Sequence, residues 1–255
     1  MPSLYIILGA AGSGRREILL NLVETINQDE PSTVALFINR SEPSSPLDKR
    51  LHLPPKHHYL DWEFQDNSKI ISDSIPSSAS EVFFLTEGQT NPVDQIEDLK
   101  SWIMQNNLDL ARIIVVVNCQ LCYHQPAARA WFQCCIHFAD IVLLNKRSDV
   151  PNQWVKEFLD SYEKDRYPCL FHYVKKGKVD LPEIVLFPEA RRLSLIFDDL
   201  EAAPFPSDIK IEGNLHLDKE NNESNLDSDL YLARYPNGRR VKRIPDIKSL
   251  LQPKS

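Results

Sequence analysis

Glycine is scarce in this chain, with seven residues in 255 against 18 prolines. So few glycines leave few places where backbone can close tightly on a ligand, so the place where they gather is informative. Three of the seven, Gly9, Gly12 and Gly14, fall within six residues. Long apolar runs are also missing. No stretch approaches the roughly 18–20 apolar residues that a membrane-spanning helix needs. The apolar start, residues 1–9, is too short for a signal peptide and lacks its basic opening. The five cysteines are an odd number in a long chain, which argues against a disulfide framework. The expectation is a protein without a membrane span in a reducing, cytoplasmic compartment.

Basic charge is missing from most of the chain. The formal net charge is −7, and residues 231–255 hold seven Lys or Arg against one Asp. Residues 218–230 hold five acids and one Lys, and residues 1–217 are acidic as well. An acidic body gives no support to general nucleic-acid binding. The run Arg239-Arg240-Val241-Lys242-Arg243 has two readings. It is either a contact for an anionic partner or the polar face of a hairpin lying against the acidic stretch.

What is present is an alternation of short apolar runs with helix-period segments, the pattern of a parallel α/β architecture. Strands are expected at Leu4–Leu8, Val34–Ile38, Val82–Thr86, Ile113–Val117, Ile141–Leu144 and Cys169–Val174. Helices are expected at about 15–28, 92–105, 125–138 and 152–163. The five β-branched residues Ile113–Val117 read as a strand covered on both faces. Residues 40–60 lose periodicity and carry Pro43, Pro46, Pro54 and Pro55, so a long irregular connection is expected there. Three regions follow: a domain over 1–190, an acidic flexible linker over 191–230 and a basic hairpin-like tail over 231–255. Within the linker, Ile209–Leu217 reads as one short strand. In the tail, Leu230–Tyr235 and Arg239–Ile244 flank Pro236-Asn237-Gly238, a hairpin turn signal.

The glycine cluster sits between the first strand and the first helix, as Gly9-Ala10-Ala11-Gly12-Ser13-Gly14-Arg15-Arg16. A phosphate-binding loop belongs there, because loop amides and the helix N-terminus aim positive partial charge at anions. The spacing is Gly-x-x-x-x-Gly, but arginines stand where Lys and Ser/Thr should follow. Further along, Thr86-Glu87-Gly88-Gln89-Thr90-Asn91-Pro92 is similar to the Glu-Thr-Ser/Thr-Gly-x-x-x-Pro segment of CobW-type GTPases. Val115–Asn118 resembles that family's next strand. Phe138–Lys146 resembles its strand and Asn-Lys-x-Asp motif. In this order the chain resembles a divergent member of the CobW/HypB/UreG group of P-loop GTPases.

The resemblance implies a P-loop NTPase-type α/β fold, a mostly parallel sheet with helices on both faces. It implies GTP or GDP as ligand, held by Gly9, Gly12, Ser13, Gly14, Arg15 and Arg16 at the phosphates and by Asn145, Lys146 and Asp149 at the base. It also implies a client protein and a part in metal-centre maturation. The departures shape the activity. Arg15 brings charge but not the geometry of lysine. Arg16 cannot ligate magnesium, so any magnesium site is absent or non-standard. Aligned on Gly88 and Pro92, the family's leading acid falls on Leu85, and Glu87 takes the Ser/Thr place. The expected base-reading Asp falls on Ser148, with Asp149 one residue late. Weak or lost hydrolysis is expected, and no catalytic residue is assigned. The alternative is a nucleotide-free pseudo-GTPase acting as an interaction protein.

Metal ligation has little support. Residues 39–80 lack the family's Cys-x-Cys-Cys motif. His52, His57, His58 and Asp61 are ligands by chemistry but read as solvated loop residues. Cys119 and Cys122 with His124, and Cys134 and Cys135 with His137, are set apart by about 15 Å of helical rise. They read as buried core cysteines, and zinc is not supported.

Overall fold

The computed structural model describes residues 1–29, 32–52, 57–65, 69–198 and 229–251. Its body is a nine-stranded sheet among the described residues. The strands are β1 (Ser3–Leu8), β2 (Val34–Asn39), β3 (His57–Gln65), β4 (Lys69–Ser72), β5 (Glu81–Leu85), β6 (Asp109–Asn118), β7 (Ile141–Asn145), β8 (Leu170–Lys175) and β9 (Lys178–Val179). Their order is β4-β3-β2-β5-β1-β6-β7-β8-β9, and only β4 and β9, at the edges, run antiparallel to their neighbours.

β1 is the centre. Five of its six residues are buried, because the sheet is covered on both faces. From β1 the chain passes through α1 (Arg15–Asp29) outward to β2 and returns to β5. It then crosses to β6, β7 and β8 on the other side. With right-handed crossovers, this reversal puts the helices on opposite faces. One face carries α1 with α2 (Asp48–Leu51) and α7 (Pro182–Leu186). The other carries α3 (Pro92–Gln105), α4 (Cys119–His124), α5 (Pro126–His137) and α6 (Asn152–Lys164). Ile18, Leu19, Leu22 and Val23 of α1 are buried in the core with Ile7, Leu36, Phe83 and Ile114 of the sheet. The reversal leaves a crevice at the carboxyl ends of the strands, the usual ligand position in open α/β sheets.

The fold is therefore α/β with a mostly parallel sheet, as the sequence pattern implied, and of the P-loop NTPase type that the resemblance implied. The main difference lies at residues 40–60, which are not one irregular connection. They contain α2 and the start of β3, which pairs in parallel with β2 from Val34↔His57 to Asn39↔Trp62. β3 has only Trp62 fully buried, so its strand period is hidden under charged and half-exposed positions. Trp62 fixes its placement by donating Nε1–H to the Leu85 carbonyl at 3.0 Å.

At the amino end of β7, Asp140 gathers donors from two segments. Its carboxylate accepts from the amides of Ile113 (2.7 Å) and Arg191 (2.6 Å) and from the Arg192 guanidinium (3.2 Å). Arg112 is also buried there, and its Nε donates to the Phe187 carbonyl at 2.5 Å.

Glu81 opens β5, paired to Ser3 on one side and Val34 on the other. One of its carboxylate oxygens is buried without a hydrogen-bond partner among the described residues. Burial pushes its pKa up from 4.5 to about 7. The folded protein thus keeps a proton that the unfolded chain has lost between those values. Stability should fall as pH rises through that window and level off above it. Glu81→Gln is expected to remove this slope and to exceed the wild type in stability at pH 8. Urea denaturation at pH 5, 6 and 8 checks it, and an unchanged slope in the variant would count against the assignment.

The chain divides into two compact units, Met1–Leu193 with Ile244–Ser255, and Ser194–Arg243. The first unit includes α8 (Ile247–Leu251), which packs on α5. In the second unit Ser194 Oγ donates to Asp229 at 2.7 Å, and Tyr235–Gly238 closes a turn with Tyr235 N–H on the Arg239 carbonyl at 2.8 Å. The hairpin signal is realised as that turn and one bridge, Arg234↔Arg240, without extended strands. Most of the acidic linker, including Ile209–Leu217, lies outside the described residues.

Candidate functional site: a cleft at the carboxyl ends of the strands

β1 hands the chain to the loop Gly9–Gly14, which turns into α1. Gly9 (φ +150°) and Gly14 (φ +95°) hold backbone conformations that side-chain-bearing residues rarely adopt. Both also sit too close to neighbours for a Cβ. One at Gly9 would lie 2.7 Å from the Val116 carbonyl, and one at Gly14 would collide with the Asn145 carboxamide. The glycines thus allow strand ends to close on the loop. Three bonds set its shape: Ser13 N–H to the Ala10 carbonyl (3.1 Å), Ala11 N–H to the Gly88 carbonyl (2.8 Å) and Asn145 Nδ2–H to the Ser13 carbonyl (2.9 Å). The first amides of α1 have no intrahelical acceptor, so the helix presents positive partial charge here.

The two arginines that follow the loop are both held by acids and carbonyls of the protein. Arg15 is 4% exposed, and its guanidinium donates to the Thr86 carbonyl and to Glu42 Oε1, the latter at 2.5 Å. Glu42 lies between β2 and α2 and also accepts the Gly88 amide at 2.9 Å. Burial alone would raise the Glu42 pKa, but Arg15 and the Gly88 amide hold it below the usual carboxylate range. Burial likewise lowers Arg15, against the pull of Glu42. Arg16 binds the same segment, with Nε 3.0 Å from Asp48 Oδ1 and NH1 donating to the Pro43 carbonyl at 2.8 Å. Both arginines therefore fasten residues 42–48 over the loop.

A hollow of about 220 Å³ remains beside them, lined by Gly12, Gly14, Arg15, Arg16 and Glu42 among others. It shares Glu17, Leu47 and Lys146 with a larger cleft of about 670 Å³. The far walls of the larger cleft are Asn145–Ser148 and the β8–β9 turn around Gly177. Gly12 and Gly14 of the loop line the smaller hollow and Asn145 the larger, Lys146 lines both, and Gly9 and Ser13 are buried and line neither. Lys146 has φ +50° and reaches both Glu17 oxygens at 3.3 Å. Asp149, with φ +62°, is exposed and stands outside the cleft wall, where Ser148 takes part. Gln120 ties this turn to α4 by donating its backbone N–H to the Lys146 carbonyl (3.1 Å) and its side chain to the Ser148 carbonyl (2.7 Å).

Glu42, Glu17 and the turn after β8 are the parts that sequence reading did not find. The available signal for Glu42 was the arginine pair itself. Two adjacent guanidiniums opening a core helix require nearby carboxylates. Nothing in the local sequence says which acid answers.

The carboxylates nearest the loop are each paired with a cation, Glu42 with Arg15, Asp48 with Arg16 and Glu17 with Lys146. Elsewhere, His57, His58 and Asp61 lie on strand β3, not on a loop. Cys119 and Cys122 lie on α4, which packs on α5. Cys134 and Cys135 lie on α5. All five thiols are buried, and burial raises the pKa of Cys119 to about 12 and that of Cys122 higher still. Among the described residues no group of three or more His, Cys, Asp or Glu is placed to hold a metal ion, and no helix is long and apolar enough to cross a membrane.

Fold and cleft define an α/β chain of the P-loop NTPase type with its depression at the ends of β1, β7 and β8. No protein-family profile matches the chain, and no curated protein matches it in sequence. Among solved structures it is similar to the zinc-bound YjiA GTPase from E. coli, at 14% identity and a TM-score of 0.45 over 73% of this chain and 61% of that one. It is also similar to a zinc-bound triple mutant of YjiA, at 16% identity and a TM-score of 0.45 over 74% and 62%. The chain spans about three-fifths of the length of those neighbours.

Proposed function

We propose that this chain is a CobW-like nucleotide-binding protein that holds a guanine nucleotide without turning it over. The observation that carries the reading is the approach of Gly12, Gly14 and the α1 N-terminus to Asn145 and Lys146, around two hollows that share Glu17, Leu47 and Lys146. In this reading the α1 amides meet the phosphates. Asn145, pinned to the Ser13 carbonyl, keeps the base-binding turn in register with the loop. Lys146 and the β8–β9 turn enclose the base, and Lys146 exchanges Glu17 for it. Hydrolysis is excluded from the reading because phosphoryl transfer needs placed charge around the transferring group. Here the loop cation is committed to Glu42 and the magnesium ligand is missing. The sequence resemblance also motivates a client protein and a part in metal-centre maturation.

Calorimetric titration of the full chain with GTP, GDP and ATP, each with and without magnesium, tests this. The expected result is guanine-nucleotide binding that is indifferent to magnesium, weaker binding of ATP, and no phosphate release. Absence of binding by every nucleotide at millimolar concentration would leave the second reading, a nucleotide-free interaction protein. That reading is favoured by the two ion pairs, Arg15–Glu42 and Lys146–Glu17, which satisfy the cleft's cations internally.

A further inference from the structure

We infer that Glu42 is a built-in anion occupying the outermost phosphate subsite of the loop, so that the cleft takes a nucleoside diphosphate and rejects a triphosphate. The choice between nucleotides rests on the reading proposed above; the occupied anion subsite rests on geometry alone.

The donors around Glu42 are those of an oxyanion site. One oxygen receives the guanidinium of the first residue of α1 at 2.5 Å and the Gly88 amide at 2.9 Å. The other lies 3.8 Å from the Arg16 guanidinium. The carboxylate side chain is 7% exposed. Backbone amide, helix start and paired guanidiniums together are how proteins hold phosphate oxygens. In the guanidinium that binds Glu42, Arg15 Nε is buried without a hydrogen-bond partner among the described residues. A tetrahedral anion has more acceptor oxygens than the planar carboxylate that now fills the place, and this spare donor suits one.

The carboxylate is delivered by a fixed strap. Glu42 N–H bonds the Asn39 carbonyl at 3.0 Å, and Ser41 Oγ bonds Asn39 Oδ1 at 2.6 Å. Arg16 pins the following residues at Pro43 and Asp48. The arginines that replaced the lysine and hydroxyl thus bind the substitute anion and its strap, which gives both departures one purpose. Two phosphates have room in the remaining hollow against Gly12, Gly14 and the α1 amides. A third would meet the Glu42 carboxylate directly, or have to pull it off Arg15. Like charges in contact at a buried site repel strongly, so the third phosphate is selected against.

Two variants of the full chain test this. In calorimetry the wild type is expected to prefer GDP over GTP by about tenfold or more. The near-isosteric Glu42→Gln should lift GTP affinity by a similar factor while moving GDP by less than about threefold. Equal binding of the two nucleotides by the wild type, or an unchanged ratio in Glu42→Gln, overturns the selection while leaving guanine-nucleotide binding intact. The second readout needs no nucleotide. Glu42→Ala empties the subsite, and inorganic phosphate or acetate should then raise its melting temperature over a chloride control by about 3 °C more than in the wild type. No selective rescue by either anion overturns the inference, whatever the nucleotides do. Rescue with no nucleotide bound by any variant supports the occupied subsite but overturns both the nucleotide reading and the choice of diphosphate. Should Glu42→Ala fail to fold, the ratio measured with Glu42→Gln decides.

Discussion

Replacing Asp140 by alanine is expected to lower the unfolding free energy by about 3–5 kcal/mol, the cost of breaking a buried ion pair from one side. The side chain is fully buried, as is that of Arg112, and Arg192 has 5% of its side chain exposed. Asp140 accepts from two backbone amides as well as from Arg192, so its loss strands donors in β6 and in the chain after α7 as well as removing a charge. Buried donors left without acceptors cost about 1–3 kcal/mol each where water cannot reach them. Asp140→Asn keeps the volume and one acceptor oxygen, and should lose less than the alanine variant. Urea denaturation reads the difference as a shift in midpoint at constant slope. A loss below about 1 kcal/mol for Asp140→Ala would mean that the guanidiniums find other partners or water. The site lies at the amino ends of the strands, opposite the cleft. Nucleotide affinity of the folded variant should therefore be unaffected.

The contrast between those two ends shows what sequence could reveal. At the strand level it revealed a great deal. Ile113–Val117 can only be a strand buried on both faces, and it is the middle of β6. The helix 92–105 is bounded by Asn91, whose side chain caps Val93 N–H, and by Pro92 at its first position. Both are local signals and both are legible. β3 was hidden because an outer strand with one face exposed carries a mixed residue pattern, and its pairing with β2 is a tertiary event. The glycine loop was visible because strained backbone demands a particular residue. The acid that answers Arg15 was not, because a counter-charge can arrive from anywhere in the fold. Glu42 lies 27 positions away, and nothing about the string Ser-Glu-Pro marks it. Asp149 was given a role by analogy of spacing; it is exposed and follows Ser148, which lines the cleft.

The second large effect is expected at the loop. Arg15→Ala leaves the Glu42 carboxylate buried without its cation, at a cost of about 3–5 kcal/mol. Arg15→Lys should recover only part of this, because one ammonium cannot replace a planar group that spans Thr86 and Glu42. The informative measurement is a cycle. Arg15→Met with Glu42→Gln removes both charges, and the pair should be less destabilised than the sum of the singles by about 2 kcal/mol or more. The sign of the pH dependence follows from Glu42. Its folded pKa is held below the unfolded value, chiefly by Arg15 acting against burial. The stabilisation is therefore fully present above the unfolded carboxylate pKa and is lost as pH falls through the folded one. Below that point wild type and Arg15→Met should converge, and above it they should separate to a constant gap. A cycle with no coupling, or a gap that persists unchanged into acid, would mean that Arg15 is held by the Thr86 carbonyl and packing. Glu42 would then be an incidental neighbour of a loop cation still available to a ligand.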